Sequence, residues 1–112
     1  MNVKIYKIID ELEKLGLKRG WIDGELVKYS YGDCKATFII IWKQKNFCTI
    51  FRQLQISNSG EYYTNESMKY SLLSYMPNHI SLDGILNEMK TLITQYKKLK
   101  VEFKKQQIEK DF

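Results

Sequence analysis

The sequence predicts an α+β domain: an N-terminal helix, an antiparallel β-meander of three to five strands, a short helix and a long C-terminal helix. Three observations predict it. Apolar residues recur at helical spacing from Ile5 to Leu15, the period falls to two between Trp21 and Thr64, and alternating steps of three and four return from Leu82 to Phe103. The 112 residues suit a single domain, 1–112, with too little chain for two independent cores. At 44% hydrophobic and 28% charged, with one Pro and six Gly, the composition is that of a folded globular chain, not of a disordered tail or a fibrous repeat.

In the first helix Ile5, Ile8, Ile9, Leu12 and Leu15 form the apolar stripe, and Lys4, Lys7, Asp10, Glu11 and Glu13 fill the other face. Asn2 is a suitable N-cap, and Gly16 followed by Leu17 reads as a C′ glycine with its trailing apolar contact. Asp23-Gly24 then marks a two-residue hairpin turn between Trp21-Ile22 and Glu25-Leu26-Val27. Val27, Tyr29 and Tyr31 alternate with Leu26, Lys28 and Ser30, and Gly32-Asp33 supplies the next turn. From Cys34 to Lys43 the run is β-branched and aromatic. Phe38, Ile40 and Trp42 share one face and Ile39 and Ile41 the other, the pattern of a central strand covered on both sides. Gln44-Lys45-Asn46 turns the chain into Phe47–Ile56, and Ser57-Asn58-Ser59-Gly60 turns it again toward Glu61–Thr64.

Residues 65–76 fit a short helix capped by Asn65 better than they fit alternation, because Met68, Leu72, Leu73 and Met76 recur with a period near 3.6. Pro77 ends that segment, and helix or strand stays open there. The long helix is expected over 81–110, with Leu82, Ile85, Met89, Leu92, Tyr96, Leu99 and Phe103 along its seam. Leu86 and Ile93 broaden the seam only in the first half, as for a helix lying on a sheet; beyond Tyr96 it narrows to the pattern of a helix–helix contact. Such a helix spans roughly 40 Å, whereas a typical strand spans about 17–20 Å. The distal half is therefore expected to overhang the sheet as an interaction arm. Tyr96, Leu99 and Phe103 would be its interface, covered by the N-terminal helix, by a second copy in a homodimer, or by another partner.

Charge is unevenly placed along the chain. The net +5 resolves into zero over residues 1–33, +4 over 34–60, −3 over 61–89 and +4 over 90–112. The first basic segment holds Lys35, Lys43, Lys45 and Arg52 interleaved with Phe38, Trp42, Phe47 and Phe51, the mixture a strand surface uses to stack bases and neutralise phosphates. In the second, Lys90, Lys97 and Lys104 fall seven residues apart, with Lys98 and Lys105 beside the later two, a stripe suited to tracking a phosphate backbone. Competing explanations are that central-strand aromatics belong to the core and that lysines beside an apolar seam are an ordinary solvated face. Only two of the 18 basic residues are Arg, the side chain that makes bidentate base and phosphate contacts.

Several kinds of chemistry find no support. There is no glycine-rich phosphate loop and no Ser nucleophile elbow, and His79 is the single histidine. Cys34 and Cys48 lie in apolar strand-like sequence, where a thiol behaves as a small hydrophobe, and with one histidine they are too few for a zinc site. No catalytic residue, metal ligand or cofactor is therefore expected. An N-terminal helix with acids, followed by a meander holding Asp23 and Asp33-Cys34-Lys35, resembles the helix–sheet layout and D/E-x-K pattern of restriction-like nucleases. That resemblance implies Mg²⁺ held by clustered carboxylates with a lysine near the attacked phosphate. Against it, Asp33 follows Gly32 at a turn instead of an apolar run within a strand, and Asp23 is explained by its own turn.

No apolar run approaches the length needed to cross a bilayer, and the amino terminus passes at once into charged, helix-spaced sequence without the apolar core of a secretory signal. A cytoplasmic location is expected. Thirteen Ile, sixteen Lys and a single Ala point to an AT-rich genome, such as that of a low-GC bacterium, its phage or another mobile element. The expected function is a small binding protein, not an enzyme, acting on nucleic acid or a nucleoprotein complex. Its candidate contacts are Lys43, Lys45, Arg52, Lys90, Lys97, Lys98, Lys104 and Lys105. The alternative is a protein-binding inhibitor or regulator, for example one that blocks a host nuclease complex, and the third reading is the Mg²⁺-dependent nuclease.

Overall fold

The computed structural model describes residues 4–110, apart from the side chains of residues 21, 22, 109 and 110. The expected cap Asn2 lies outside the described residues. Helix α1 (Ile5–Lys14) leads into β1 (Leu17–Ile22), β2 (Leu26–Tyr31), β3 (Ile39–Trp42), β4 (Phe47–Ile56) and β5 (Tyr62–Ser71), and α2 (Leu82–Lys110) closes the chain. The strands form one antiparallel sheet in sequential order, β1-β2-β3-β4-β5. This is the expected α+β class, with the meander at its upper limit of five strands.

Both helices lie on the same face of the sheet. Ile8 and Leu12 of α1 join Ile85, Met89, Leu92, Ile93 and Tyr96 of α2 in one cluster with Val27, Tyr29, Ile39, Ile41, Cys48 and Ile50. The even-numbered positions of β4 and the odd-numbered positions of β2 and β3 supply that core, as period-two alternation requires. Gly16, at φ +97°, ends α1 as the expected C′ residue, and Ser81 caps α2 by accepting a hydrogen bond from the Gly84 N–H at 3.0 Å.

Four sequence expectations need correction. The short helix is absent, because residues 62–71 pair with β4 along its whole length as β5. Its helical spacing misled because the apolar residues serve different places. Leu72 is fully buried, whereas Met68 and Met76 are 42% and 41% exposed. Asn65 does not cap a helix; its side-chain amide donates to Gln55 Oε1 across the β4–β5 pair at 2.8 Å. The Asp23-Gly24 turn is closed by the side chain of Asp23, whose Oδ1 accepts from the N–H groups of Glu25 and Leu26 at 2.7 and 3.0 Å. The hairpin forms where expected, with Asp23 N–H donating to Leu26 C=O at 3.2 Å across Gly24-Glu25, but Gly24 is not among the positive-φ residues, so an Asp23-Gly24 type I′ turn is not what closes it.

Third, β3 is central but covered on only one side: Ile39 and Ile41 are fully buried beneath the helices, while Ile40 and Trp42 face the other way and are half-buried.

Fourth, the long helix does not overhang as expected. β4 and β5 are ten residues each, about 34 Å at 3.4 Å per residue, so their hairpin underlies most of α2. Tyr96 is 4% exposed, its ring edge-on to Tyr31 at 5.6 Å and tilted on Tyr62 at 5.1 Å. Leu99 packs against the same core. The Phe103 ring lies against the hairpin tip, 3.2 Å from where a Cβ on Gly60 would stand. Tyr96 and Leu99 thus belong to the intrachain core and Phe103 packs half-buried on the hairpin tip, with about two further turns of α2 beyond it.

Gln95 fixes the helix to the hairpin by reading backbone: its Oε1 accepts from Leu54 N–H at 3.1 Å and its Nε2 donates to Arg52 C=O at 3.4 Å. These contacts flank Arg52, whose pairing with Glu66, at φ +51°, is missing from an otherwise continuous β4–β5 register. One residue further along α2, Tyr96 packs over the β2–β3 turn, where Gly32 takes φ +62° and a Cβ would stand 3.0 Å from the Tyr96 hydroxyl. Gly32→Ala adds left-handed strain to displacement of a buried ring. We expect it to lower unfolding free energy by about 2–3 kcal/mol in urea denaturation.

Candidate functional site

The face of the sheet turned away from the helices carries the feature that distinguishes this surface. Cross-strand partners point to the same side, so the register reads out its rows directly. One row is Leu26, Trp42, Phe47 and Ser71; the next is Lys28, Ile40, Thr49 and Lys69. Phe51 and Ser67 follow, then Gln53 with Asn65 and Gln55 with Tyr63. Lys18 of β1, opposite Ser30, joins the same side. Among the described strand residues registered on this face, none is acidic.

Trp42, Phe47 and Phe51 are half-buried, while Leu26 and Ser71 at the two ends of the first row are buried. The rings of Trp42 and Phe47 lie 5.5 Å apart at a 30° tilt. Lysine ammoniums rest over them: Lys69 Nζ is 4.5 Å from the centre of Phe47, and Lys45 Nζ, from the β3–β4 turn, is 5.8 Å from that of Trp42. Among the described residues neither lysine has an ion-pair partner. At the β1 side, Gly20, Lys28, Ser30, Lys35 and Thr37 line a pit of about 190 Å³.

The residues singled out from the sequence divide between opposite sides of the molecule. Lys45 belongs to the open face, and Lys43 stands at the end of β3 beside it, its N–H donating to Glu25 C=O at 2.8 Å. Arg52 does not join them. An even position on β4 turns it to the helix side, where its guanidinium donates to the Tyr70 hydroxyl and stands 3.9 Å from Glu88 of α2. Lys90, Lys97, Lys98, Lys104 and Lys105 are exposed along α2, off its sheet-packed seam and on the helix side of the molecule. One ligand lying flat on the sheet therefore cannot engage both basic regions. Phe38, grouped by sequence with Trp42 and Phe47, is fully buried and stacked on Tyr31 at 6.5 Å.

Sequence reasoning missed Lys28, Lys69 and Ser67 as members of the surface. The signal was present in the odd-numbered alternation shared by Phe47, Thr49 and Phe51, but their partners on β5 were hidden by the helical reading of residues 65–76.

The nuclease-like residues do not assemble. Asp23 closes its hairpin turn, while Asp33 accepts a hydrogen bond from the Tyr96 hydroxyl and stands 3.6 Å from Lys100 Nζ. Among the described residues no group of three His, Cys, Asp or Glu side chains is placed to hold a metal ion. Cys34 and Cys48 are free and buried; burial pushes both thiols up, Cys48 to about 12, which keeps it in the unreactive protonated form at neutral pH. His79 is half-buried beside Ser71, whose Oγ accepts from Leu73 N–H at 3.1 Å. Among the described residues no helix is long and apolar enough to cross a membrane. Comparison of the chain with family models, with curated proteins and with solved structures finds no match.

Proposed function

We propose that this chain is a binding module for nucleic acid, free or within a nucleoprotein complex, and that it works through the helix-free face of its sheet. The observation that carries the reading is the composition of that face: Trp42, Phe47 and Phe51 with Lys28, Lys45 and Lys69, and no carboxylate registered among them. A sheet face that carries no helix layer ordinarily presents scattered polar residues. Aromatic rings set among lysines instead suit a polyanion whose repeating units have flat faces. Lysines act as point charges on phosphate and do not make the forked contacts of arginine, so affinity should depend weakly on base sequence. An intracellular location, where nucleic acid is plentiful and thiols stay reduced, belongs to the same reading.

The test is fluorescence anisotropy of labelled DNA and RNA oligonucleotides across a salt series. Binding at low salt that weakens steadily as salt rises is expected. No binding at low salt to any of these oligonucleotides would sink the proposal.

A second reading, docking of a protein partner or a second copy on α2, is favoured by one observation. Val101 and Ile108 are 53% and 58% exposed, and Ile108 borders a groove of about 470 Å³ shared with Ile56, Tyr62 and Phe103. Under this reading the wild-type chain self-associates by light scattering and Ile108→Asp is monomeric with an unchanged thermal midpoint. A wild-type monomer at high protein concentration rejects the homodimer.

A further inference from the structure

The arrangement of the open face narrows the class of nucleic acid, an inference that rests on the nucleic-acid reading of that face. We infer that its ligand is a single strand lying along β4, with unpaired bases on the Trp42–Phe47 pair and on Phe51 and the intervening backbone beside Lys69.

Shape supplies the first argument. The major groove of a duplex admits a helix or a two-stranded ribbon, whereas this face is the flank of a five-stranded sheet. A duplex could touch it only through phosphates, and phosphates need lysines alone. The three half-buried rings would then gain nothing. An unpaired base offers a π-face to each of them.

Spacing supplies the second. Phe47 and Phe51 lie on the same side of β4, four residues apart, or about 14 Å at 3.4 Å per residue. Lys69 belongs to the row between these two stations, opposite Thr49 on the adjacent strand. Aromatic, cation, aromatic is the order that a strand alternating bases with phosphates can follow.

Charge supplies the third. In the free protein the Lys69 and Lys45 ammoniums lie over the rings of Phe47 and Trp42. A phosphate draws an ammonium away from a ring more strongly than the ring's quadrupole holds it. The same strand that supplies the phosphate also supplies the base that takes the vacated ring face. Binding thus exchanges a cation–π contact for a phosphate contact and a stacked base.

The experiment compares fluorescein-labelled oligo-dT and oligo-U with a duplex of equal length, using the full chain at one low salt concentration. Single strands are expected to bind about tenfold or more tightly than the duplex, and Phe51→Leu to lose about tenfold on single strands while leaving the salt slope unchanged. Phe51→Tyr should restore binding, since it restores a flat ring, and circular dichroism of each variant reports whether the fold is intact. In a Trp21→Phe background Trp42 is the only indole, and its fluorescence should be quenched by oligo-dT. Duplex binding equal to single-strand binding, Phe51→Leu binding as tightly as the wild type, or unchanged Trp42 fluorescence on saturation overturns the single-strand inference and leaves the nucleic-acid reading standing. No binding to any of the three probes overturns both.

Discussion

Phe38→Ala is expected to lower the unfolding free energy by about 3–5 kcal/mol, a large part of the roughly 5–15 kcal/mol typical of a small domain. Phe38 is fully buried, stacked on Tyr31 at the point where β3 leaves the β2–β3 loop, and its N–H donates to Tyr29 C=O at 2.8 Å. Truncation leaves a cavity in the core cluster, beside Tyr31, that its close-packed neighbours cannot fill. Urea denaturation checks it: the midpoint should fall with little change of slope, because packing is weakened while the folded extent stays the same. The contrast is Phe51→Ala. Phe51 is half-buried on the open face and has less to lose, so about 1 kcal/mol is expected from its partial burial. Equal destabilisation by the two would mean that the open face is covered in solution.

The second large effect concerns charge. Replacing Lys45 and Lys69 together by Gln is expected to weaken binding of single strands at low salt roughly tenfold to a hundredfold. The slope of log affinity against log salt should flatten by about 1.4, about 0.7 for each phosphate that is no longer neutralised. Stability should hardly move, because both side chains are on the surface and the cation–π interactions they make are weak there. Lys97→Gln with Lys104→Gln is the matched control, removing the same charge from the helix side of the molecule. If that control flattens the slope and the sheet variant does not, the phosphate-bearing surface is α2.

The fold was legible where periodicity was strong. Ile5 to Leu15 and Leu82 to Phe103 announced both helices, and Gly16 and Ser81 marked boundaries that the structure keeps. The meander followed from alternation and turn residues. Residues 65–76 were misread because an edge strand with exposed Met68 and a turn with exposed Met76 happen to sit at helical spacing around the buried Leu72. The overhanging arm had a separate source: a typical strand length was set against α2, whereas β4 runs ten residues, as the bounds Phe47–Ile56 already implied.

The candidate surface was half legible for a related reason. Composition found the aromatic and basic segment, but charge counted along a strand mixes its two faces. Arg52 has the opposite parity from Phe47 and Phe51, and alternation alone would have sent it to the helix side. Lys69 could be found only through its partner Thr49, a long-range pairing that no local pattern encodes. The left-handed Glu66 gave no sequence signal, since neither Gly nor Asn stands there.

The most direct test of the working surface is a ¹⁵N-labelled amide spectrum of the full chain, titrated with oligo-dT at low salt. Shifts are expected to concentrate in Lys28, Trp42 to Phe51 and Ser67 to Lys69, with the α2 amides from Lys90 to Lys105 nearly unmoved. Shifts confined to α2, or none at saturating oligo-dT, would contradict that expectation.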